Sequence, residues 1–131
     1  MKPRLLGLRH AAIYVRDIDR SLTFYQDVMG LRLEWQPNPE NAYLTSGGDN
    51  LALHQLPAGA EPGEVQFLDH IGFAVPTQDE VDKWASRLSD MGIDFVEPPT
   101  THRDGARSFY FHDPDGILIQ VIHHLPISDS K

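Results

Sequence analysis

The feature that most constrains the fold is that the chain consists of one unit written twice. His70 lies 60 residues after His10, and Gly92 lies 62 residues after Gly30. Each half reads as a strand, a helix ended by glycine, a strand, a loop, a strand, a turn and a final strand. Such an internal duplication predicts an α+β fold built from two βαβββ modules.

The repeat also predicts how the 131 residues are divided. Module one covers about residues 8–56 and module two about residues 66–124, with a Pro- and Gly-containing linker at 57–63. A chain of this length can form one domain with a substantial core but is short for two. We therefore expect residues 1–131 to form a single domain.

Local signals give the expected element boundaries. The first helix should begin at Asp17 or Asp19, and Thr77 with Glu80 forms a capping box for the second. Strands are predicted over residues 31–35 and 93–96. The loops that follow them are predicted at 36–41 and 97–105, because both segments contain proline.

Strand alternation places a histidine among small residues in each module. His10 shares its face with Ala12, and His70 shares its face with Gly72 and Ala74. The opposite faces are apolar and should be buried against the helices. A face of small residues with one polar group is typical of a cavity wall.

Gln120 is a polar residue in the middle of an apolar strand that follows the turn at residues 113–116. A buried polar group costs free energy unless it is paired, so we expect a metal or a substrate as its partner. Gln120 lies four residues after Gly116, as Ala52 lies four residues after Gly48. The repeat therefore makes Ala52 the counterpart of Gln120.

Composition excludes several classes of function. A net charge of −8 argues against nucleic acid and anionic membranes as partners. The absence of cysteine excludes disulfides, thiolate metal sites and thiol nucleophiles. The first residues lack the apolar region of a signal peptide, and no apolar run approaches the length of a membrane span. These features predict a cytoplasmic protein.

Four stretches together resemble the vicinal oxygen chelate (VOC) superfamily. They are HAAIYVRDIDRSLTFYQDVMGL, NAYLTSGG, DHIGFAV, and SFYFHDPDG followed by ILIQV. This superfamily contains glyoxalases, extradiol dioxygenases, methylmalonyl-CoA epimerases, and fosfomycin- and bleomycin-resistance proteins. The resemblance implies a cup-shaped sheet with helices on its outer face, a divalent metal in the cup, and a homodimer.

The resemblance also implies where metal ligands lie, because the family takes them from the first and last strand of each module. Those positions are His10, Ala52, His70 and Gln120. Ala52 cannot ligate, and Gln120 stands where members with an active metal centre usually have Glu. His54 lies on the same face as Ala52 and is an additional candidate. The two histidines could otherwise be ordinary strand histidines bonded to the backbone.

This donor set would suit Zn, Ni, Co, Mn or Fe(II). Two further residues are candidate substrate contacts. Tyr110 faces away from Phe109 and Phe111 and hence into the cavity, where its phenol could orient a substrate oxygen. Arg107 ends a polar loop, residues 102–107, which is either a solvated turn or an anion-binding lid.

The leading functional hypothesis is a metal-dependent enzyme of the glyoxalase type, with lyase or isomerase chemistry on a small oxygen-chelating substrate. No catalytic residue is assigned, since the family's glutamates are absent. One alternative is a non-haem iron dioxygenase, which requires a carboxylate ligand. Thiol transfer to fosfomycin ranks lower, because Ala12 replaces a threonine of those enzymes. From another class, the alternative is a metal-free binding protein of the bleomycin-resistance type.

Overall fold

A computed structural model describes residues 3–61, 63 and 68–128. The chain divides into two compact units, Met1–Pro62 and Gly63–Lys131. The division falls inside the predicted linker, so the units correspond to the two predicted modules. Each unit has one four-stranded sheet.

Unit one contains four strands and one helix. In chain order they are β1 (His10–Val15), α1 (Ile18–Thr23) continuing as a π-helical turn (Phe24–Val28), β2 (Arg32–Asn38), β3 (Asn41–Thr45) and β4 (Asn50–Gln55). The sheet order is β1-β4-β3-β2, with β1 and β4 parallel and the other pairs antiparallel.

Unit two repeats this topology. Its elements are β5 (Ile71–Ala74), α2 (Gln78–Asp90), β6 (Phe95–Thr101), β7 (Arg107–His112), β8 (Leu118–His123) and a short helix α3 (Leu125–Ser128). The order is β5-β8-β7-β6, and β5 and β8 are parallel. The predicted βαβββ modules are therefore confirmed in both halves.

One face of each sheet is buried against its helix, as alternation predicts. The buried apolar side chains of unit one include Ile13, Val15, Leu22, Tyr25, Leu44 and Leu53. Those of unit two include Val81, Leu88, Phe109, Phe111, Ile119 and Val121. The other face of each sheet is left for His10 in unit one and for Gln120 in unit two.

The helices begin where the capping residues predict. The Asp17 carboxylate accepts from the backbone N–H groups of Asp19 and Arg20, at 3.1 and 3.2 Å. Thr77 Oγ1 accepts from the N–H of Glu80 at 3.1 Å. The longest helix is α2 with 13 residues, and none in the described part of the chain is long and apolar enough to cross a membrane.

The first helix is not a uniform α-helix. Its last turn is π-helical, with the N–H of Met29 bonded to the carbonyl of Phe24 at 3.1 Å. The wider turn lets the consecutive rings of Phe24 and Tyr25 both be buried, with 7% and 0% of each residue exposed. Helical periodicity alone did not predict this turn.

The two predicted loops after β2 and β6 are partly wrong. β2 continues to Asn38 and β6 to Thr101. Both are edge strands with register shifts, and one shift in β6 falls between Glu97 and Thr100, where two prolines lie. Proline is tolerated in edge strands and at bulges, so it did not end these strands.

The turn between β7 and β8 is organised by one buried carboxylate. Asp113 is 5% exposed, and its Oδ1 accepts from the N–H groups of Asp115 and Ile117, both at 2.9 Å. Gly116 has φ +87°, the left-handed conformation that glycine adopts readily. This turn joins the strand of Tyr110 to the strand of Gln120.

We predict that Asp113→Ala lowers the free energy of unfolding by about 1–3 kcal/mol, because two partly buried N–H groups lose their acceptor. The matched control Asp113→Asn keeps a side-chain oxygen and should lose less. Urea unfolding followed by circular dichroism measures both. Equal losses in the two variants, or none in Asp113→Ala, would contradict this role of the carboxylate.

Candidate metal centre and substrate face

The open face of unit one begins with His10 at the start of β1. The register places His10 opposite Asn50 and Ala12 opposite Ala52. Ile13, on the other side of the strand, is buried at 6% exposure, whereas His10 and Ala12 are exposed. His10 therefore lies on the open face, as the alternation predicts.

A chain of side-chain hydrogen bonds fixes the His10 ring. Asn50 Nδ2 donates to Glu34 Oε1 at 2.9 Å, and Asn50 Oδ1 lies 2.7 Å from His10 Nδ1. Because Asn50 presents an acceptor, Nδ1 carries the proton and Nε2 keeps a free lone pair. A metal-ligating histidine commonly has this arrangement. Glu34 and Asn50 were not identified from the sequence.

His54, the additional candidate ligand, lies elsewhere on the same face. It pairs with Tyr14, and its Nδ1 lies 2.6 Å from Asn41 Oδ1. Tyr14 is four residues beyond His10 on β1, which is about 13 Å along a strand. Ala52, which is 1% exposed, lies on β4 between Asn50, the register partner of His10, and His54. The register does not bring His54 together with His10.

Unit two brings His70, Tyr110 and Gln120 together. Gln120 pairs with Gly72 on β5 and with Tyr110 on β7. His70 directly precedes β5, and its ring packs edge-on against Tyr110 with centroids 5.5 Å apart. Two of the predicted ligands and the predicted substrate contact thus lie on one face.

His70 has its own acceptor. Asp69 Oδ2 lies 2.7 Å from His70 Nδ1, again leaving Nε2 free. The Asp69 carboxylate is largely exposed, with 87% of its side chain accessible. His10 and His70 therefore have side-chain partners on Nδ1. If they were ordinary strand histidines, as the alternative interpretation holds, backbone partners would be expected. No sequence pattern identifies Asp69 beyond its position next to His70.

Gln120 is buried, with 8% of the residue exposed, and both ends of its amide have close neighbours. Its Nε2 donates to the Tyr110 hydroxyl at 2.9 Å. Its Oε1 lies 3.3 Å from the place where a Cβ on Gly72 would stand. The absence of a side chain at Gly72 thus makes room for the amide oxygen. Tyr110 is a partner that the sequence analysis did not assign to Gln120.

The environment of Tyr110 keeps its phenol protonated. Burial raises the pKa of Tyr110, and the charges of Glu97 and Asp69 raise it further, against a lowering hydrogen bond with Ser108. Glu97 is the cross-strand partner of Tyr110 on β6. Glu97 therefore places a carboxylate next to the candidate substrate contact, in a segment that had been predicted as a loop.

Arg107 does not share the face of Tyr110. Its Nε and Nη2 donate to the two Asp82 oxygens at 3.2 and 2.7 Å, and its Nη1 donates to Thr101 Oγ1 at 2.9 Å. Hydrogen bonding to Asp82 raises the pKa of Arg107. Since Asp82 belongs to α2, this guanidinium ties β7 to the helix. We leave Arg107 out of the proposed site.

The donor atoms of each unit, taken by themselves, suit a divalent metal ion in chemical type. Imidazole nitrogen and amide oxygen both ligate such ions, and the free Nε2 atoms of His10 and His70 are suited to it. Within residues 3–61, 63 and 68–128, no group of three or more His, Asp or Glu side chains is gathered for a metal. With Gln120 in place of a carboxylate, we expect weaker binding than a carboxylate ligand would give.

Comparison with known proteins identifies the family of this chain. The family model of the Glyoxalase/Bleomycin resistance protein/Dioxygenase superfamily matches residues 7–121. Glyoxylase I 4 of Arabidopsis thaliana is 32% identical over 129 residues, covering 89% of this chain and 70% of that protein. Metallothiol transferase FosB of Shouchella clausii is 30% identical over 118 residues, covering 88% and 78%.

The fold has solved counterparts as well. The crystal structure of lactoylglutathione lyase from Agrobacterium tumefaciens superimposes with a TM-score of 0.77 at 22% identity, covering 95% of this chain and 98% of that one. At this identity the likeness concerns the fold alone. Because the family model matches most of the chain, the chain belongs to the Glyoxalase/Bleomycin resistance protein/Dioxygenase superfamily.

Proposed function

We propose that this protein is a metal-dependent enzyme of the glyoxalase type, acting on a small molecule with two neighbouring oxygens. The proposed ligands are His10, His70 and Gln120. The observation that carries the proposal is the side-chain oxygen on Nδ1 of each histidine, which leaves both Nε2 atoms free. A bound divalent ion would supply Lewis-acid polarisation of the substrate oxygens.

Tyr110 would orient the substrate. Its oxygen accepts from Gln120 Nε2, so its own O–H proton is available for a substrate oxygen. The raised pKa of Tyr110 favours this donor role over a role as a base. Gln120 thus has two tasks in the proposal, ligation through Oε1 and positioning of the phenol through Nε2.

Glu97 is the proposed general base. It lies opposite Tyr110 in the sheet and is only partly exposed. In an isomerisation, Glu97 would accept a proton from one substrate carbon and return it to the adjacent carbon. Glu97 would thus supply the carboxylate base for which the sequence analysis assigned no residue, since the family's glutamates are absent.

The other candidate reactions have less support. A non-haem iron dioxygenase needs a carboxylate ligand, and the corresponding residue here is the neutral Gln120. Thiol transfer, which the name of the Shouchella clausii relative gives for that protein, ranks second because of the 30% identity. We also propose a homodimer, which the family resemblance implies, and a cytoplasmic location, which the cysteine-free composition predicts. Sedimentation velocity and cell fractionation would test them.

We predict near-stoichiometric metal in untagged protein loaded with Zn, Ni, Co, Mn or Fe(II), as measured by elemental analysis after dialysis. His10→Ala and His70→Ala should lose the metal, since each removes an imidazole ligand. His124→Ala, outside the proposed site, is the matched control and should keep it. Gln120→Glu should tighten binding by about 10-fold or more, because a carboxylate adds charge. Equal metal content in all variants would contradict the proposed centre.

We predict that Glu97→Gln lowers kcat for isomerisation of a glutathione hemithioacetal by about 10²–10⁴-fold. Metal content should stay unchanged, because Glu97 is not a ligand. Glu80→Gln, which alters a carboxylate on α2 bonded to Lys83, is the control and should keep full activity. Wild-type kcat in Glu97→Gln would show that another group takes the proton. A wild-type protein inactive with every metal would contradict the glyoxalase-type reaction itself.

A further inference from the structure

The loop between β6 and β7 places a histidine against a buried hydroxyl. His102 is exposed at the start of this loop, and its Nε2 lies 3.1 Å from Ser108 Oγ. Ser108 is fully buried, with 0% of the residue exposed. Neither residue belongs to the proposed metal centre. Because a hydroxyl donates one hydrogen bond and accepts others, the direction of the bond at His102 determines where the Ser108 proton points.

The loop that carries His102 is a folded turn rather than an open lid. The His102 N–H donates to the carbonyl of Ala106 at 2.7 Å, and the Gly105 N–H donates to the carbonyl of His102 at 3.0 Å. Gln78, at the start of α2, donates from Nε2 to the Gly105 carbonyl at 3.1 Å. These bonds fix the backbone of His102, so the fold itself holds the ring beside Ser108.

Ser108 extends this contact to Tyr110, the proposed substrate contact. The two residues are two positions apart on β7 and therefore lie on the same face, the one that carries Gln120. Burial raises the pKa of Tyr110, and the hydrogen bond between Tyr110 and Ser108 acts against this rise. A bond that favours the charged phenolate is one donated to the phenol oxygen. Ser108 is therefore the donor in this bond.

The direction of the bond matters because Tyr110 has a single proton. The Tyr110 oxygen already accepts from Gln120 Nε2 at 2.9 Å. If Ser108 also donates to Tyr110, the Tyr110 O–H is left for a substrate oxygen. If Ser108 instead donates to His102, Tyr110 can give its proton to Ser108 and then has none for the substrate. The protonation of His102 Nε2 decides between these two arrangements.

We propose that His102 is a positioning residue, which donates from Nε2 to Ser108 and thereby leaves the Tyr110 hydroxyl free to donate to the substrate. This role rests on the proposed function, in which Tyr110 orients a substrate oxygen. It requires the opposite protonation to that of His10 and His70, whose Nδ1 atoms carry the proton. Histidine thus serves this chain in two ways, by ligation through a bare Nε2 and by orientation through a protonated one.

The ring resonances of His102 test the proposal without metal or substrate. In metal-free protein at about pH 7.5, where an ordinary histidine is mostly neutral, His102 should carry its proton on Nε2. That proton should be visible in a ¹H–¹⁵N spectrum, because its bond to a buried hydroxyl slows exchange with water. Ser108→Ala removes the acceptor with little change in volume and should abolish the resonance. A proton on Nδ1 alone, or a resonance unchanged in Ser108→Ala, would overturn the proposal.

A matched pair of variants tests the role in activity. The amide nitrogen of His102→Gln stands near the place of imidazole Nε2 and keeps the donor, whereas the shorter side chain of His102→Asn does not reach Ser108. For isomerisation of a glutathione hemithioacetal, His102→Asn should lower kcat/KM by about 3–10-fold, the effect of one hydrogen bond. His102→Gln should stay near wild type, and both should keep their metal. Equal losses in the two variants would overturn the proposal, since His102 would then serve only the fold of the loop.

A double variant shows whether His102 acts through Tyr110. In Tyr110→Phe the phenol is absent, so adding His102→Asn should cause no further loss of kcat/KM. A further loss as large as in the wild type would overturn the positioning role.

The two proposals fail in different ways. An active, metal-loaded protein with the His102 proton on Nδ1 would overturn the positioning role and leave the proposed function in place. A protein that shows the Nε2 proton but is inactive with every metal would overturn the proposed function, and the positioning role with it.

Discussion

The proposed chemistry depends on one interaction, the hydrogen bond from imidazole Nδ1 to a side-chain oxygen. It occurs at His10 with Asn50 and at His70 with Asp69, both at 2.7 Å. The bond fixes the ring orientation and places the proton on Nδ1, so that Nε2 is the available donor atom. Without it, a histidine on an open sheet face would be a solvated side chain with no preferred tautomer.

The two units supply the acceptor for the histidine Nδ1 proton differently, although their topology is the same. In unit two the acceptor is a carboxylate directly beside the histidine in sequence. In unit one it is an amide, oriented by Glu34 through a 2.9 Å bond. Gln120 has no ligating counterpart in unit one, where Ala52 stands at the corresponding position. The two units thus share a topology but place different polar side chains on their open faces.

Strand alternation predicted the fold and the faces of His10, His70 and Gln120, because it depends only on neighbouring residues. It did not predict that Glu34 bonds Asn50, because the register shift in β2 between Leu33 and Trp35 changes which side chains reach the open face. Nor did it predict that Arg107 pairs with Asp82, a contact between elements 25 residues apart. Such partners depend on packing that no local pattern encodes.

The most direct test is the ¹⁵N chemical shift of the histidine ring nitrogens during titration with Zn²⁺. The Nε2 resonances of His10 and His70 should move from the free lone-pair position to the metal-bound position, while both Nδ1 resonances stay protonated. His54 should be unaffected, since its place in the register separates it from His10. Zn²⁺-induced shifts at Nδ1, or at neither histidine, would contradict the account.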